Sequence, residues 1–259
     1  MTRRTDDVII QRMHNEGKST KAIAEHFGVT SSAILLRYKV IGINVSNKRR
    51  PPQYAVNERF FDEWSSDMAY VLGFILTDGN VSGNTLSIAQ KEIEPLNAIA
   101  ALLETDSKPY KSGNIHVLSI YRKSIVESLE RLGISEKKSL TVELPEVPDE
   151  YLAHFMRGVI DGDGWVHAKG YVVTITSGSE SFANQLTAKL KAAGFPFKWN
   201  HDGYAYRIKL SGKDEVRRLG AWLYADPTAF SIERKRQRIL QTNGHIDVVN
   251  RLLLDSDIA

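Results

Sequence analysis

Two nine-residue strings decide how this chain reads: VLGFILTDG, Val71–Gly79, and MRGVIDGDG, Met156–Gly164. Each places glycine third, a small residue seventh, aspartate eighth and glycine ninth. On a helix, Gly73 and Thr77 lie four residues apart on one face, and so do Gly158 and Gly162. Small residues on a shared face let two helices approach backbone to backbone. That approach would bring Asp78 and Asp163 together at the helix C-termini. A carboxylate there meets the negative end of a helix dipole, at a cost of about 0.3–1 kcal/mol, and the two carboxylates repel one another. Divalent cations offset both effects. Oxygen ligands with open positions suit Mg²⁺, which keeps several waters and accepts phosphate oxygens, and with Mg²⁺ the pair could support in-line displacement at a phosphodiester.

Outward from these strings the chain repeats itself. The first copy opens on an apolar helix over Asp67–Thr77, followed by strands Val81–Ser82 and Thr85–Ala89 around the turn Gly83-Asn84. A helix from Glu92 to Glu104, two strands around Ser112-Gly113-Asn114 and a helix over Ser124–Leu132 complete it. The second copy runs from a helix at Tyr151–Gly162 through strands Trp165–Ala168 and Tyr171–Thr176 to a helix at Glu180–Ala193. Strands around His201-Asp202-Gly203 and a helix over Lys213–Tyr224 end it. The motif aspartates are 163 − 78 = 85 residues apart, which sets the repeat. The expected fold is therefore α+β: two pseudo-symmetric αββαββα repeats, at 67–133 and 151–225, with the motif helices at their interface. Residues 134–150, with Pro145 and Pro148, read as the linker, and 226–259 as a C-terminal helical tail.

The N-terminal part differs in charge. Net charge is +3, yet residues 1–50 hold ten Lys/Arg against four Asp/Glu, a surplus of +6, which leaves −3 on the other 209 residues. A basic segment on a near-neutral body suggests an appended polyanion-binding module. Three short helices are expected there, with Gly28 turning the second into the third, Ala24 at their close approach, and Val29 and Ile34 in a small core. The pattern resembles a helix-turn-helix over residues 1–46, in which the third helix would offer Thr30, Ser31, Ser32 and Arg37 to base edges. A basic, proline-containing linker, 47–66, follows, and its Lys48, Arg49 and Arg50 could track phosphates. The chain has no cysteine, which excludes disulfides and thiolate metal sites. No apolar run is long enough for a membrane span, and MTRRTDDVII carries no signal-peptide core. A cytoplasmic protein, nucleoid-associated when bound to DNA, is the expectation.

At these residues the sequence resembles the LAGLIDADG homing endonuclease family, over roughly residues 67–225. HFMRGVIDGDG after LPEVPDEY, and LSIAQKEIEPL after the first motif, carry the resemblance alongside the two strings. The resemblance implies a site-specific double-strand DNA endonuclease using Mg²⁺, with Mn²⁺ as a substitute. Asp78 and Asp163 would be the metal-binding acids, and Thr77 and Gly162 would offer backbone carbonyls to the metals. The first motif departs from the pattern: Leu76 stands where the second motif has Asp161, so Asp161 is expected to support the site rather than bind metal. Lys91 matches a family lysine that could act on the attacking water or the phosphorane charge. The matching position in the second copy is Gly178, so a second lysine must come from elsewhere, and Lys209 is the candidate. The family's sheets form a saddle over duplex DNA. Alternation puts Leu86, Ile88, Val173 and Ile175 inward, leaving Thr85, Ser87, Thr174, Thr176 and Arg207 toward the groove. Two motifs in one chain imply a monomer reading a long asymmetric site.

Other chemistry has little support. The seven histidines show no metal-ligand spacing, and His154 reads as a helix-surface or packing residue. Two further readings remain open: a non-catalytic transcriptional regulator on a LAGLIDADG-like fold, and an intron maturase. Both metal acids are present, which favours the enzyme over the regulator.

Overall fold

The structure is a computed structural model that describes residues 3–43, 54–136 and 141–241. It divides into two compact units, residues 1–51 and 52–259. In the first, α1 (Arg3–Asn15), α2 (Thr20–Phe27) and α3 (Ser31–Val40) surround a small core of Ile10, Ile23, Ala24, Ile34 and Tyr38. Ser19 caps α2 by accepting from the Ala22 amide, Thr30 caps α3 by accepting from the Ala33 amide, and Gly28 ends α2 in the left-handed region at φ 63°. Val29, expected in this core, is 46% exposed. It follows the left-handed glycine and turns outward, while Tyr38 fills the interior.

In the second unit the two expected copies are present. The first comprises α4 (Ser66–Asp78), β1 (Gly79–Ser82), β2 (Thr85–Gln90), α5 (Glu94–Leu102), β3 (Tyr110–Ser112), β4 (Ile115–Tyr121) and α6 (Lys123–Arg131). The second comprises α7 (Leu152–Asp163), β5 (Trp165–Val166), β6 (Val172–Ser177), α8 (Glu180–Ala192), β7 (Lys198–His201), β8 (Tyr206–Ser211) and α9 (Lys213–Leu223). A further helix, α10 (Glu233–Leu240), lies in the expected tail. Each copy forms an antiparallel four-stranded sheet, ordered β1-β2-β4-β3 and β5-β6-β8-β7. Leu86, Ile88, Val173 and Ile175 are fully buried, so the strands alternate as expected and each sheet packs one face on helices. Among the described residues, no helix is long and apolar enough to cross a membrane.

The α4–α7 pair forms the centre. Every residue from Met68 to Leu76 is buried, so α4 has no solvent face, as its near-continuous apolar sequence requires. A Cβ built on Gly73 would stand 2.2 Å from the Phe155 carbonyl oxygen, and one on Gly158 would stand 2.0 Å from that of Tyr70. These contacts are reciprocal, because Tyr70 and Phe155 are separated by the same 155 − 70 = 85 residues as the glycines. At the helix ends the small residues are complementary: a Cβ on Gly162 would be 1.9 Å from Thr77 Oγ1. Backbone blocks both central positions, so no rotamer can make room. Gly73→Ala and Gly158→Ala should each destabilise the second unit by about 1–3 kcal/mol or more. Urea unfolding of the full chain measures this, and unchanged midpoints in both variants would show that the helices do not meet there.

Candidate active site

The motif helices end side by side. Asp78 and Asp163 are their last residues, and a Cβ on Gly162 would lie 3.5 Å from the Asp78 carboxyl carbon. Thr77, Asp78, Gly162 and Asp163 are therefore gathered at one place, as the motif spacing requires. Gln90, the last residue of β2, donates through its side-chain amide to Asp78 Oδ2. The corresponding residue of β6 is Ser177, whose hydroxyl instead accepts from the Ser179 amide. The two acids thus have different surroundings. Asp163 opens to solvent on one side, while packed protein on the other desolvates it and raises its pKa. The charges of Lys235 and Arg207 oppose that rise.

The cation brought to these acids is Lys235, on α10, which sequence reasoning missed. The residue is 7% exposed, and Nζ donates to the carbonyl oxygens of Ile160 at 2.8 Å, Asp161 at 2.7 Å and Gly162 at 3.0 Å. An ammonium has three donors, and all three are used on the last turn of α7. Its charge also offsets the negative end of that helix dipole. Burial lowers the Lys235 pKa, and the negative charges of Asp161, Asp78 and Asp163 oppose this. The signal available in sequence was weak: one lysine within the run ERKRQRIL, Glu233–Leu240, where a solvated basic helix is the ordinary reading.

Two buried side chains of α7 bring that tail into place. Arg157, 2% exposed, donates from Nε to the Phe230 carbonyl and from one terminal nitrogen to that of Leu223, both at 3.0 Å. Its guanidinium carbon lies 5.3 Å from the centre of the Tyr70 ring, and a terminal nitrogen is 3.1 Å from His154 Nδ1. Asp161 Oδ2 accepts from the Ile232 amide at 2.8 Å and from the Tyr70 hydroxyl at 3.1 Å. Asp161 therefore holds the tail, and His154 is hydrogen-bonded between Ser66 Oγ and Arg157. Leu76, at the matching position of α4, has no tail to hold and is buried in the core.

The other candidates are dispersed. Lys91 follows Gln90 at the strand end and is exposed, with its carbonyl 3.1 Å from His116 Nδ1. Lys209 is exposed on the outward face of β8, opposite Thr174 and Lys198. Arg207, on the same face, donates to Thr176 Oγ1 and Asp202 Oδ2, both at 2.7 Å. Thr85 and Ser87 lie on the outward face of the first sheet, opposite Tyr121 and Ser119. In the first unit Ser31 and Ser32 are exposed, and the Thr30 hydroxyl is engaged in its cap. Arg37 is clamped to Asp7 at 2.5 and 2.6 Å, so reaching a base would mean breaking that pair. Lys48, Arg49 and Arg50 fall outside the described residues.

The donor set bears on a metal directly. Among the described residues no group of three or more His, Cys, Asp or Glu side chains could hold an ion. Two carboxylates with adjoining carbonyls fit Mg²⁺ or Mn²⁺, which fill remaining positions with water and substrate phosphate.

Burial pushes the Asp161 pKa up to about 6, against the pull of the Ile232 amide, Lys235, Tyr70 and Arg157. The folded state therefore takes up a proton below pH 6 that the unfolded chain takes up only near its ordinary carboxylate value. That contribution is fully present below about pH 4 and is lost as pH rises through 6, by on the order of 1–3 kcal/mol. Asp161→Asn should flatten this component, as measured by unfolding free energies between pH 4 and 7. An unchanged profile would show that Asp161 does not titrate there. Lys235→Met removes the ammonium donor from the Asp161 and Gly162 carbonyls, while the Ile160 carbonyl keeps the Gly164 amide, and should lower the midpoint of thermal unfolding, whereas full stability would show that these carbonyls find other donors.

Residues 150–221 match the family described as LAGLIDADG-like domain. Among curated proteins, the chain is 25% identical over 209 residues to the probable translation initiation factor IF-2 of Methanocaldococcus jannaschii, covering 73% of this chain and 17% of that protein. It is 24% identical over 202 residues to a DNA polymerase of Thermococcus litoralis, covering 66% and 11%. The chain thus spans less than a fifth of these relatives, whose names share no activity, so their whole-protein functions do not transfer. Among solved structures, the homing endonuclease I-WcaI bound to its DNA recognition sequence is similar with a TM-score of 0.51 at 13% identity, over 78% of this chain and 96% of that one. A variant of I-DmoI, in complex with its target DNA in the presence of Mn, gives 0.50 at 15% identity, over 62% and 95%. At such identities the shared property is the fold. Residues 150–221 thus match a LAGLIDADG-like domain, and the chain shares the fold of these two solved structures, built around two motif helices.

Proposed function

We propose that this chain is a divalent-metal-dependent, site-specific double-strand DNA endonuclease. The observation that carries the reading is the pair Asp78 and Asp163, held at adjacent helix ends by a contact only glycine permits. A protein that only bound DNA would gain nothing from keeping two carboxylates together beside a phosphodiester. Solved neighbours of this fold are complexes with DNA, and the polar outward faces of the sheets suit a duplex.

When bound, Mg²⁺ or Mn²⁺ would supply Lewis-acid stabilisation and a more acidic water. The chain's own residues do the rest. Asp78 and Asp163 would hold the ion, with the Thr77 carbonyl adjoining and the Gly162 carbonyl, which also accepts from Lys235, offering its second lone pair. Gln90 fixes the rotamer of Asp78. Lys235 stabilises the acid pair electrostatically and keeps the last turn of α7 in place. Lys91, one residue beyond Gln90, is placed to meet developing phosphorane charge, with Lys209 the candidate for a phosphate contact further along the face. One chain supplies both acids, so a monomer suffices, and unlike halves would read an asymmetric site. Ser31 and Ser32 on the first unit, with Lys48, Arg49 and Arg50 in the linker, would add contacts on one flank, and the protein would be nucleoid-associated.

Asp78→Asn and Asp163→Asn should each abolish cleavage with Mg²⁺ while leaving DNA affinity and the thermal midpoint nearly unchanged. The assay is cutting of sites selected from a randomised duplex library. Cutting at the wild-type rate by either variant would overturn the two-acid reading, and a wild-type chain that binds but never cuts would favour a regulator. Deleting residues 1–50 removes +6 of charge and neither acid. It should weaken binding and flatten the salt dependence while preserving cleavage. An unchanged footprint and salt slope would show that this segment does not touch DNA.

A further inference from the structure

The two sheets are wound alike, but their outward faces differ in chemistry. Directly opposed residues of an antiparallel pair share a face. On the second sheet one outward row is Lys198, Lys209 and Thr174, and the next is Asn200, Arg207 and Thr176. Lys198 and Lys209 are exposed, and Arg207 is fixed in direction by its bonds to Asp202 and Thr176. On the first sheet the matching rows carry no charge: Tyr110, Val117 and Ala89 form one, and Ser119 and Ser87 another. Tyr110 is 53% exposed there, and Ala89 is exposed as well.

These faces cannot bind a duplex in the same way. A cationic face neutralises phosphates and releases counterions, and its arginine can pair with the O6 and N7 acceptors of guanine. Rows of methyls and hydroxyls neutralise nothing, and the cations of the first sheet, Lys91, Lys108 and Lys111, lie outside these rows at the strand ends and edge. In the major groove the one apolar group such rows can meet is the C5 methyl of thymine. Resting on the DNA-binding reading above, we propose that the target is compositionally split. The half-site under the first sheet is thymine-rich and bound through Ala89, Val117 and Tyr110. The half-site under the second sheet contains guanine, read by Arg207, with Lys198 and Lys209 supplying the electrostatic attachment.

The test selects bound duplexes from a randomised library with the full chain, without added metal, and measures affinity against salt. The selected sites should show one thymine-rich and one guanine-containing half. Lys198→Gln combined with Lys209→Gln should reduce the slope of log affinity against log salt by about 1.8. Val117→Thr, which exchanges a methyl for a hydroxyl at constant shape, should relax preference in the thymine-rich half and leave the slope unchanged. Halves of equal composition, or a slope unaffected by loss of both lysines, would overturn the split while leaving DNA binding intact. A wild-type chain that retains no duplex at any salt would overturn the DNA reading and the split with it.

Discussion

Everything that gives this chain a site depends on one contact: the backbone-to-backbone approach of α4 and α7. It is a steric constraint before it is an attraction. Gly73 faces the Phe155 carbonyl and Gly158 faces that of Tyr70, and neither position has room for a methyl. Around the contact, α4 is buried throughout Met68–Leu76, so the helices are held by apolar burial, worth about 1.5–3 kcal/mol for each large side chain. That burial balances two carboxylates placed at the negative ends of neighbouring helix dipoles.

The second constraint is electrostatic, and it breaks the symmetry of the first. α7 carries Arg157 and Asp161 in its interior where α4 carries apolar residues, and both bind the backbone of the segment that follows α9, Arg157 holding the last residue of α9 as well. A buried charge is tolerated where its hydrogen-bond partners are supplied, and here the tail supplies them. In return the tail delivers Lys235 to the three carbonyls that close α7. The departure of Leu76 from the motif pattern follows from the same asymmetry, because one tail needs one buried aspartate. A duplicated fold has thereby become a site with unlike sides, with Gln90 on Asp78 and Lys235 bonded to the end of α7, its charge acting on both acids.

The unlike sides extend to the surface. Strand alternation makes the inward residues of both sheets equivalent: Leu86 and Ile88 correspond to Val173 and Ile175, all fully buried. It places no such demand on the outward residues, which are free to differ. They differ in charge, with cations in the outward rows of β7 and β8 and none in the matching rows of the first sheet. A single chain with two such faces is suited to an asymmetric partner, whereas a symmetric dimer would present the same face twice.

The sequence by itself determined the repeat, the two motif helices and the inward face of each strand. All three are periodic, and periodicity survives in one dimension: small residues four apart, apolar residues alternating, aspartates 85 residues apart. It also marked Asp78, Asp163, Thr77 and Gly162, because a helix end beside a helix end needs no further information. Val29 escaped that reading, since an apolar residue after a left-handed glycine has no period to place it. Gln90 and Lys235 escaped it too. Lys235 lies 235 − 163 = 72 residues from the acid it neighbours, in a basic helix whose pattern reads as solvated surface. Arg37 looked available for a base and is held by Asp7, 30 residues earlier. Only tertiary structure decides such pairings, because hydrogen bonds and ion pairs between distant segments depend on where folding brings each group, and no local spacing records that.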